Sequence, residues 1–476
     1  MTFTSLTFIL FVAIVLAIYA AVPQKAKHYF LIAASLVFYF WWKTWAPIFI
    51  VIYALFNFFM AKIIAKKEGG KRRAILLASV GFSILLFFVF RYHILDGIIN
   101  AIISADGVDI MILFPLGFSY YMFKSVSYLI DVNNKTIEPV KGFDKFLIYV
   151  VYFPEVSMGP ITRAVDFIPQ IEKEKKTNTN IINKGLVLVA WGFFKKIVFA
   201  DRLASLIAPY YSEIDTAGSG LAWVLIAFGF LIQLYLDFSA YTDISVGVSK
   251  MLGYEIKHNF KAPFFSFSIP EFWRKWHISL TSWLLDYVFS PLQFLLRSLG
   301  KLASIIPALV TFTLIGVWHG GTSAYLMFGF LMGTLVAIDA LISRKRKKLK
   351  KKMPKVIFNS VSFAGLMIIN IIVFLFMRVP SAGDGFAIIG KYIFNFATWT
   401  NELVLTKDFY VIFSLGIVMT ILSHLIELKT DKFLDGFTKM RQPIMWTVYM
   451  VLIFIIILFG HYGPGYDPVE FIYMGF

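Results

Sequence analysis

Apolar residues arrive along this chain in blocks, divided by short polar stretches that hold most of the charge. A helix of about 20 apolar residues crosses the hydrocarbon core of a bilayer with its backbone amides bonded internally. Blocks at 5–22, 29–42, 46–64, 74–90, 110–130, 185–204, 221–240, 302–318, 322–342, 356–377, 409–425 and 443–460 predict about twelve such crossings. Two further stretches, 146–163 and the one beginning near Ile269, are apolar but interrupted, and are expected to be re-entrant, buried or interfacial. The expected fold class is an all-α polytopic membrane protein.

The interruptions carry the information. Pro154, Gly159 and Pro160 break the 146–163 block, and Glu155 sits inside it. Irregular backbone at membrane depth survives only where protein covers it or a cavity adjoins it. Lys124 lies within the 110–130 block, and Lys195 and Lys196 lie midway along 185–204, followed by Asp201 and Arg202. Such lysines either snorkel to an interface or face inward, paired with Asp201, Asp237 or Asp243; at least one is expected to face inward. Asp237 and Tyr241 are four residues apart and share a helix face. Ser268-Ile269-Pro270-Glu271 fits a capping box with proline in the first turn, so a helix is expected from about Ile269. Along it Trp273, Trp276, Leu280, Trp283 and Tyr287 form one stripe at helical spacing, a wall expected to position His277. Arg274 and Thr281 lie one turn to either side of that histidine, and Asp286 and Arg297 make the helix amphipathic. Blocks 302–318 and 322–342 are expected to form a hairpin whose turn holds His319, with Gly320 and Gly321 allowing close backbone approach.

Composition and charge sharpen the class. Of 476 residues, 59% are hydrophobic, 18% aromatic and only 15% charged, against roughly 25% charged in soluble proteins. A soluble globular enzyme is excluded. There is no cysteine, which rules out disulfides, thiolate metal sites and a cysteine nucleophile. The formal charge of +17 raises nucleic acid as a partner, but it gathers in short stretches at 66–73, 344–352 and 429–441. Cytoplasmic loops of membrane proteins carry their charge in this way, and 344–352 is read as such a loop rather than as a nucleic-acid site. Asp96, Asp106 and Asp109 mark an outer segment, and both termini are expected outside the cytoplasm. The first block has no positive residue before it and Lys25 and Lys27 after it, so a retained helix is expected rather than a cleaved signal. No repeat or linker divides the chain. A single membrane-embedded domain, 1–476, is expected, with N-terminal helices at 1–131, a core at 132–342 holding His277 and His319, and C-terminal helices at 343–476.

An ionisable group at bilayer depth is a functional candidate, which singles out His277 and His319. His28, His93, His258, His424 and His461 fall at predicted helix ends, where solvated or interfacial histidine is expected. No Gly-x-Ser-x-Gly elbow and no metal-binding cluster occurs. Imidazole, titrating near neutrality, suits a general base for a hydroxyl group.

The segments FPLGFSYYMFKSVSYLIDV, YFPEVSMGPITR, YLDFSAYTDISVG, EFWRKWHISLTSWLLDY, GVWHGG and FIYMGF together resemble the membrane-bound O-acyltransferase (MBOAT) family, in its bacterial alginate O-acetylation branch. The resemblance implies the MBOAT fold. It makes His319, in the WHG motif, the essential catalytic residue, with His277 as a second candidate and Asp286 in the acidic position that follows. Trp318, Trp276, Arg274, Asp286, Asp237, Tyr241 and Asn259 are read as binding or shaping the site. It further implies no permanently bound cofactor and no metal, with acetyl-coenzyme A or another acyl thioester as donor. The expected partners are the bilayer of the plasma membrane, an extracytoplasmic acetyltransferase of SGNH-hydrolase type, an acyl carrier protein in some branches, and a polysaccharide as final acceptor. The implied activity is O-acetylation of an extracellular or cell-wall polysaccharide. The alternatives are D-alanyl transfer from a carrier protein to teichoic acid and, in a different class, a transporter, against which the lack of internal duplication counts.

Overall fold

The computed structural model describes residues 3–92, 94, 115–175 and 178–463. Among them every regular element is a helix, and eight helices are long and apolar enough to cross a membrane: Ala46–Lys66, Gly69–Arg91, Gly220–Met251, Leu302–His319, Ser323–Lys352, Lys355–Leu375, Lys407–Glu427 and Gln442–Phe459. The other four expected crossings fall on shorter helices, Leu6–Ala21, Lys27–Trp42, Phe118–Asn133 and Thr179–Phe193. The Gln442–Phe459 helix shows what lipid contact looks like here. It buries only Met445 and Tyr449 and exposes Ile444, Trp446, Met450, Phe454 and Ile457. His93, the acidic segment at Asp96, Asp106 and Asp109, and the terminal FIYMGF lie outside the described residues.

The chain divides into two compact units, Met1–Leu186 with Ser245–Lys257, and Val187–Ile244 with His258–Phe476. In the first unit the Phe118–Asn133 helix buries all but two of its side chains, so it is a core helix rather than a lipid-facing one. Gly117, at φ 67°, starts it; a Cβ there would stand 1.7 Å from the carbonyl oxygen of Val156, so only glycine fits. The interrupted block behaves as its prolines require. Helix Phe143–Val151 ends, and residues 152–162 run through turns wholly covered by protein. Lys124 reaches Glu155 at 2.7 Å, and the hydroxyl of Thr162 donates to the same carboxylate. The two charges noted separately in the sequence thus neutralise each other.

In the second unit the expected 185–204 crossing is a helix with a flaw built into it. Thr179–Phe193 passes into a π-helical turn, Phe194–Ala200, before Asp201–Ser212 resumes the α-helix. A π turn admits one extra residue. Here both lysines are buried. Lys195 pairs with Asp243 at 2.9 Å and donates to Ser239 at 2.8 Å, while Lys196 meets Asp201 and Asp237, each at 2.6 Å. They do not snorkel; all three carboxylates named from the sequence are their partners. Leu302–His319 and Ser323–Lys352 form the expected hairpin. Its close approach depends on Gly316 and Gly329, where a Cβ would lie 2.3 Å from Tyr325 O and 2.4 Å from Phe312 O. Gly320 is merely extended, at φ 173°. The basic run 344–352, expected as a loop, is instead the last turns of the Ser323–Lys352 helix. Lysines at a helix C-terminus oppose its partial negative charge, which favours continued winding.

Candidate functional site

Ser268 caps the Ile269–Lys275 helix as its sequence requires, its hydroxyl accepting the Glu271 N–H. The Glu271 carboxylate accepts from Phe267 N–H at 3.0 Å, one residue beyond the position a capping box would use. The helix then stops. Trp276 is extended (φ −103°, ψ 128°), His277 is left-handed (φ 44°, ψ 54°), and Ile278–Leu284 begins a second helix. The single helix expected from the periodicity is therefore two. The break is stabilised because its loose backbone groups are taken up elsewhere. The main-chain carbonyl of Asn259 accepts the Ile278 N–H at 2.9 Å, and its side-chain oxygen accepts the Ser279 N–H at 3.2 Å. Lys261 N–H donates to the Lys275 carbonyl at 3.1 Å, and the Thr281 hydroxyl donates to the Trp276 carbonyl at 3.0 Å.

The break divides the tryptophan stripe, which is not one wall. Trp276 is enclosed by Phe260, Phe272 and Phe374 at ring separations of 5.2, 5.4 and 5.4 Å. Trp273 packs on Phe312 at 5.0 Å and Trp283 on Tyr287 at 5.1 Å. His277 itself sits edge-on to Phe238, 4.7 Å between centroids. With 2% of its surface exposed, it lies where burial pushes the imidazole down to about 3, so it is neutral at physiological pH.

His319 is the last residue of the Leu302–His319 helix rather than part of the turn beyond it. It is 4% exposed, with Tyr325 roughly parallel at 6.1 Å and Phe328 edge-on at 6.1 Å. Trp318 links the two histidines: its ring lies 4.6 Å from His319 and 6.3 Å from His277. Two imidazoles from distant parts of the sequence thus contact one indole, under cover from water. Such a pair can accept and donate protons in a medium that strengthens both actions.

Other candidates fall differently. Asn259 is fully buried and holds the backbone just after His277, at Ile278 and Ser279. Asp237 and Tyr241 are also fully buried, but Asp237 belongs to the Lys196 ion cluster. Arg274 and Asp286 are exposed, the latter in a π turn over Leu285–Phe289. Among the remaining described histidines the expectation of solvated or interfacial helix ends fails at His424, whereas His28, His258 and His461 keep part of their surface exposed. His28 lies 2.9 Å from Asp144 and His258 lies 3.6 Å from Asp243. His424 has no exposed surface and is bonded to Tyr235 and to the backbone of Phe264. Only its apolar neighbourhood hinted at burial. Its partners stand 189 and 160 residues away, which no local pattern reveals.

Residues 140–378, which include both histidines, match the MBOAT, membrane-bound O-acyltransferase family. The chain is 30% identical over 411 residues to a probable alginate O-acetylase, AlgI, of Pseudomonas putida, covering 84% of this chain and 81% of that protein. It is 26% identical over 378 residues to the peptidoglycan O-acetyltransferase of Helicobacter pylori, covering 73% and 71%. Over 242 residues it is 29% identical to the teichoic acid D-alanyltransferase of Bacillus subtilis, covering 49% of this chain and 61% of that one.

Proposed function

Because this chain belongs to the membrane-bound O-acyltransferase family, we propose that it takes acetyl from acetyl-coenzyme A at the cytoplasmic face of the plasma membrane and passes it outward for O-acetylation of an extracellular or cell-wall polysaccharide. The immediate acceptor is a hydroxyl of an extracytoplasmic, SGNH-hydrolase-like acetyltransferase, which hands the group to the polymer. His319 is the base. Its neutral imidazole accepts the hydroxyl proton as the oxygen bonds to the thioester carbonyl carbon. The C–S bond of the tetrahedral intermediate then breaks, and the departing thiolate recovers the proton, leaving an ester and a free thiol. His277, kept neutral by burial, directs an N–H toward the developing oxyanion. Exclusion of water protects the thioester from hydrolysis.

The observation that carries this reading is the pair of buried histidines on one tryptophan, inside the region that matches the family. Its test is ester-linked acetate released from exopolysaccharide by mild alkali, compared at equal membrane-protein levels. A His319→Gln variant should insert normally and lose about 10²–10⁴-fold in transfer, the usual contribution of a general base. Wild-type acetate from that variant would make His319 structural. The likeness to a D-alanyltransferase supports one second reading. Alkali-released D-alanine in place of acetate would favour it, with the same histidines in the same roles.

A further inference from the structure

We propose that Tyr235, His424 and Glu427 form a clamp whose purpose is to position His277; this rests on reading His277 as part of the acyl-transfer site. The three side chains close a circuit on one loop. His424 Nε2 accepts the Phe264 N–H at 3.1 Å. A backbone N–H only donates, so Nε2 is bare and the ring proton sits on Nδ1, 3.0 Å from the Tyr235 oxygen. Tyr235 in turn donates its hydroxyl proton to Glu427 Oε1 at 2.7 Å. Glu427 Oε2 accepts the Ala262 N–H at 2.6 Å, two residues from where the circuit began. One tautomer and one direction of donation satisfy every joint.

The loop so held is the one that holds His277. Ala262 is left-handed, at φ 53°, a conformation disfavoured for a residue with a Cβ, and its own N–H is the one Glu427 grips. His277 is left-handed too, and Asn259, three residues before Ala262, fixes the backbone just after it. Aromatic contacts connect the same points. Phe264 stacks on His424 at 5.4 Å and lies 6.2 Å from Trp276, and Phe260 lies 5.1 Å from Phe238, against which His277 packs. Tyr235 and His424 have no exposed surface. Apolar side chains would fill that volume without the desolvation that a buried tyrosine–histidine–carboxylate circuit costs. What the circuit adds is a defined geometry.

The test uses the full-length protein in nanodiscs and needs no substrate. Carbethoxylation of His277 and His319 by diethyl pyrocarbonate is followed by peptide mass spectrometry, beside thermal unfolding. Tyr235→Phe keeps the ring and breaks two joints. It should speed modification of His277 about five- to tenfold, as loss of a buried hydrogen bond permits local opening, while His319 changes less than about twofold. Glu427→Gln should act in the same sense and covers the case in which Tyr235→Phe does not fold. Thr420→Val, which removes a bond internal to the helix that also carries His424 and Glu427 but lies outside the circuit, should change neither rate. Unchanged His277 labelling in folded Tyr235→Phe and Glu427→Gln proteins, or an equal rise at both histidines, overturns the clamp. In the acetyl-coenzyme A assay the clamp variants should lower kcat with KM held. A wild-type protein that transfers nothing, with the labelling shift still present in the clamp variants, would overturn the functional reading and leave the clamp standing.

Discussion

His277 occupies a backbone region that histidine visits more readily than most residues with a Cβ, though still at a cost. Its side chain adds a second cost, because burial opposes its charged form. An unfolded-chain histidine titrates near 6.5, whereas the folded value is pushed down to about 3. Above about pH 6.5 both states are neutral and nothing is lost. As pH falls from there toward 3, the unfolded chain takes up a proton that the folded one refuses, so stability declines. Thermal unfolding in detergent between pH 7 and pH 5 should therefore show a drop that is shallower in His277→Gln. At this scale His277 and His319 were legible because each is an ionisable residue in an apolar, tryptophan-rich run. His424 was not. Its polar partners come from a distant helix and a distant loop, and its own surroundings in sequence look like those of any residue near a helix end.

Among the elements, periodicity located helices well and their faults poorly. The spacing of Trp273, Trp276, Leu280 and Trp283 is helical throughout, yet the chain breaks after Lys275 because Asn259 and Lys261 bond to the broken ends. Tertiary bonds decided what local preference left open. The prolines and glycine of 152–162 signalled their irregular path correctly, because those residues forbid continued helix whatever surrounds them. The lysines of the π turn set the sharpest expectation at this scale. Replacing Lys195 and Lys196 together with leucine removes two charges from a bilayer segment, which simple insertion energetics would favour. It also strands Asp201, Asp237 and Asp243 without their cations. Breaking a buried pair costs roughly 3–5 kcal/mol, so the double variant should show a lower unfolding temperature and poorer yield. A more stable variant would mean the cluster is dispensable.

For the whole molecule, charge bias gives an orientation that geometry alone does not. The 344–352 run ends a membrane helix, and its eight basic residues should stay on the cytoplasmic side. Because the native chain has no cysteine, a single Lys348→Cys substitution offers one labelling site. It should react with a membrane-impermeant maleimide only after the cells are opened, and labelling of intact cells would reverse the topology. The class of fold was legible from block length alone, since the bilayer imposes it. The number of crossings was less so. The Phe118–Asn133 helix, read from sequence as part of a crossing, carries Lys124 and Asp131 and is covered by protein on nearly every side. Hydropathy reports what a segment tolerates, not what it touches.

The π turn at Phe194–Ala200 is slack in its helix, taking up one extra residue by widening rather than by turning further. Each residue advances an α-helix by about 100°, so the same stretch wound as ordinary helix would carry Asp201, five residues on, about 140° around from Lys196. Removing one residue would let the turn close to ordinary helix with the segments on either side near their present phase. This stretch should therefore tolerate the loss of one residue better than an unbroken helix would, and among relatives a one-residue gap in its alignment would mark a turn wound back to α-helix.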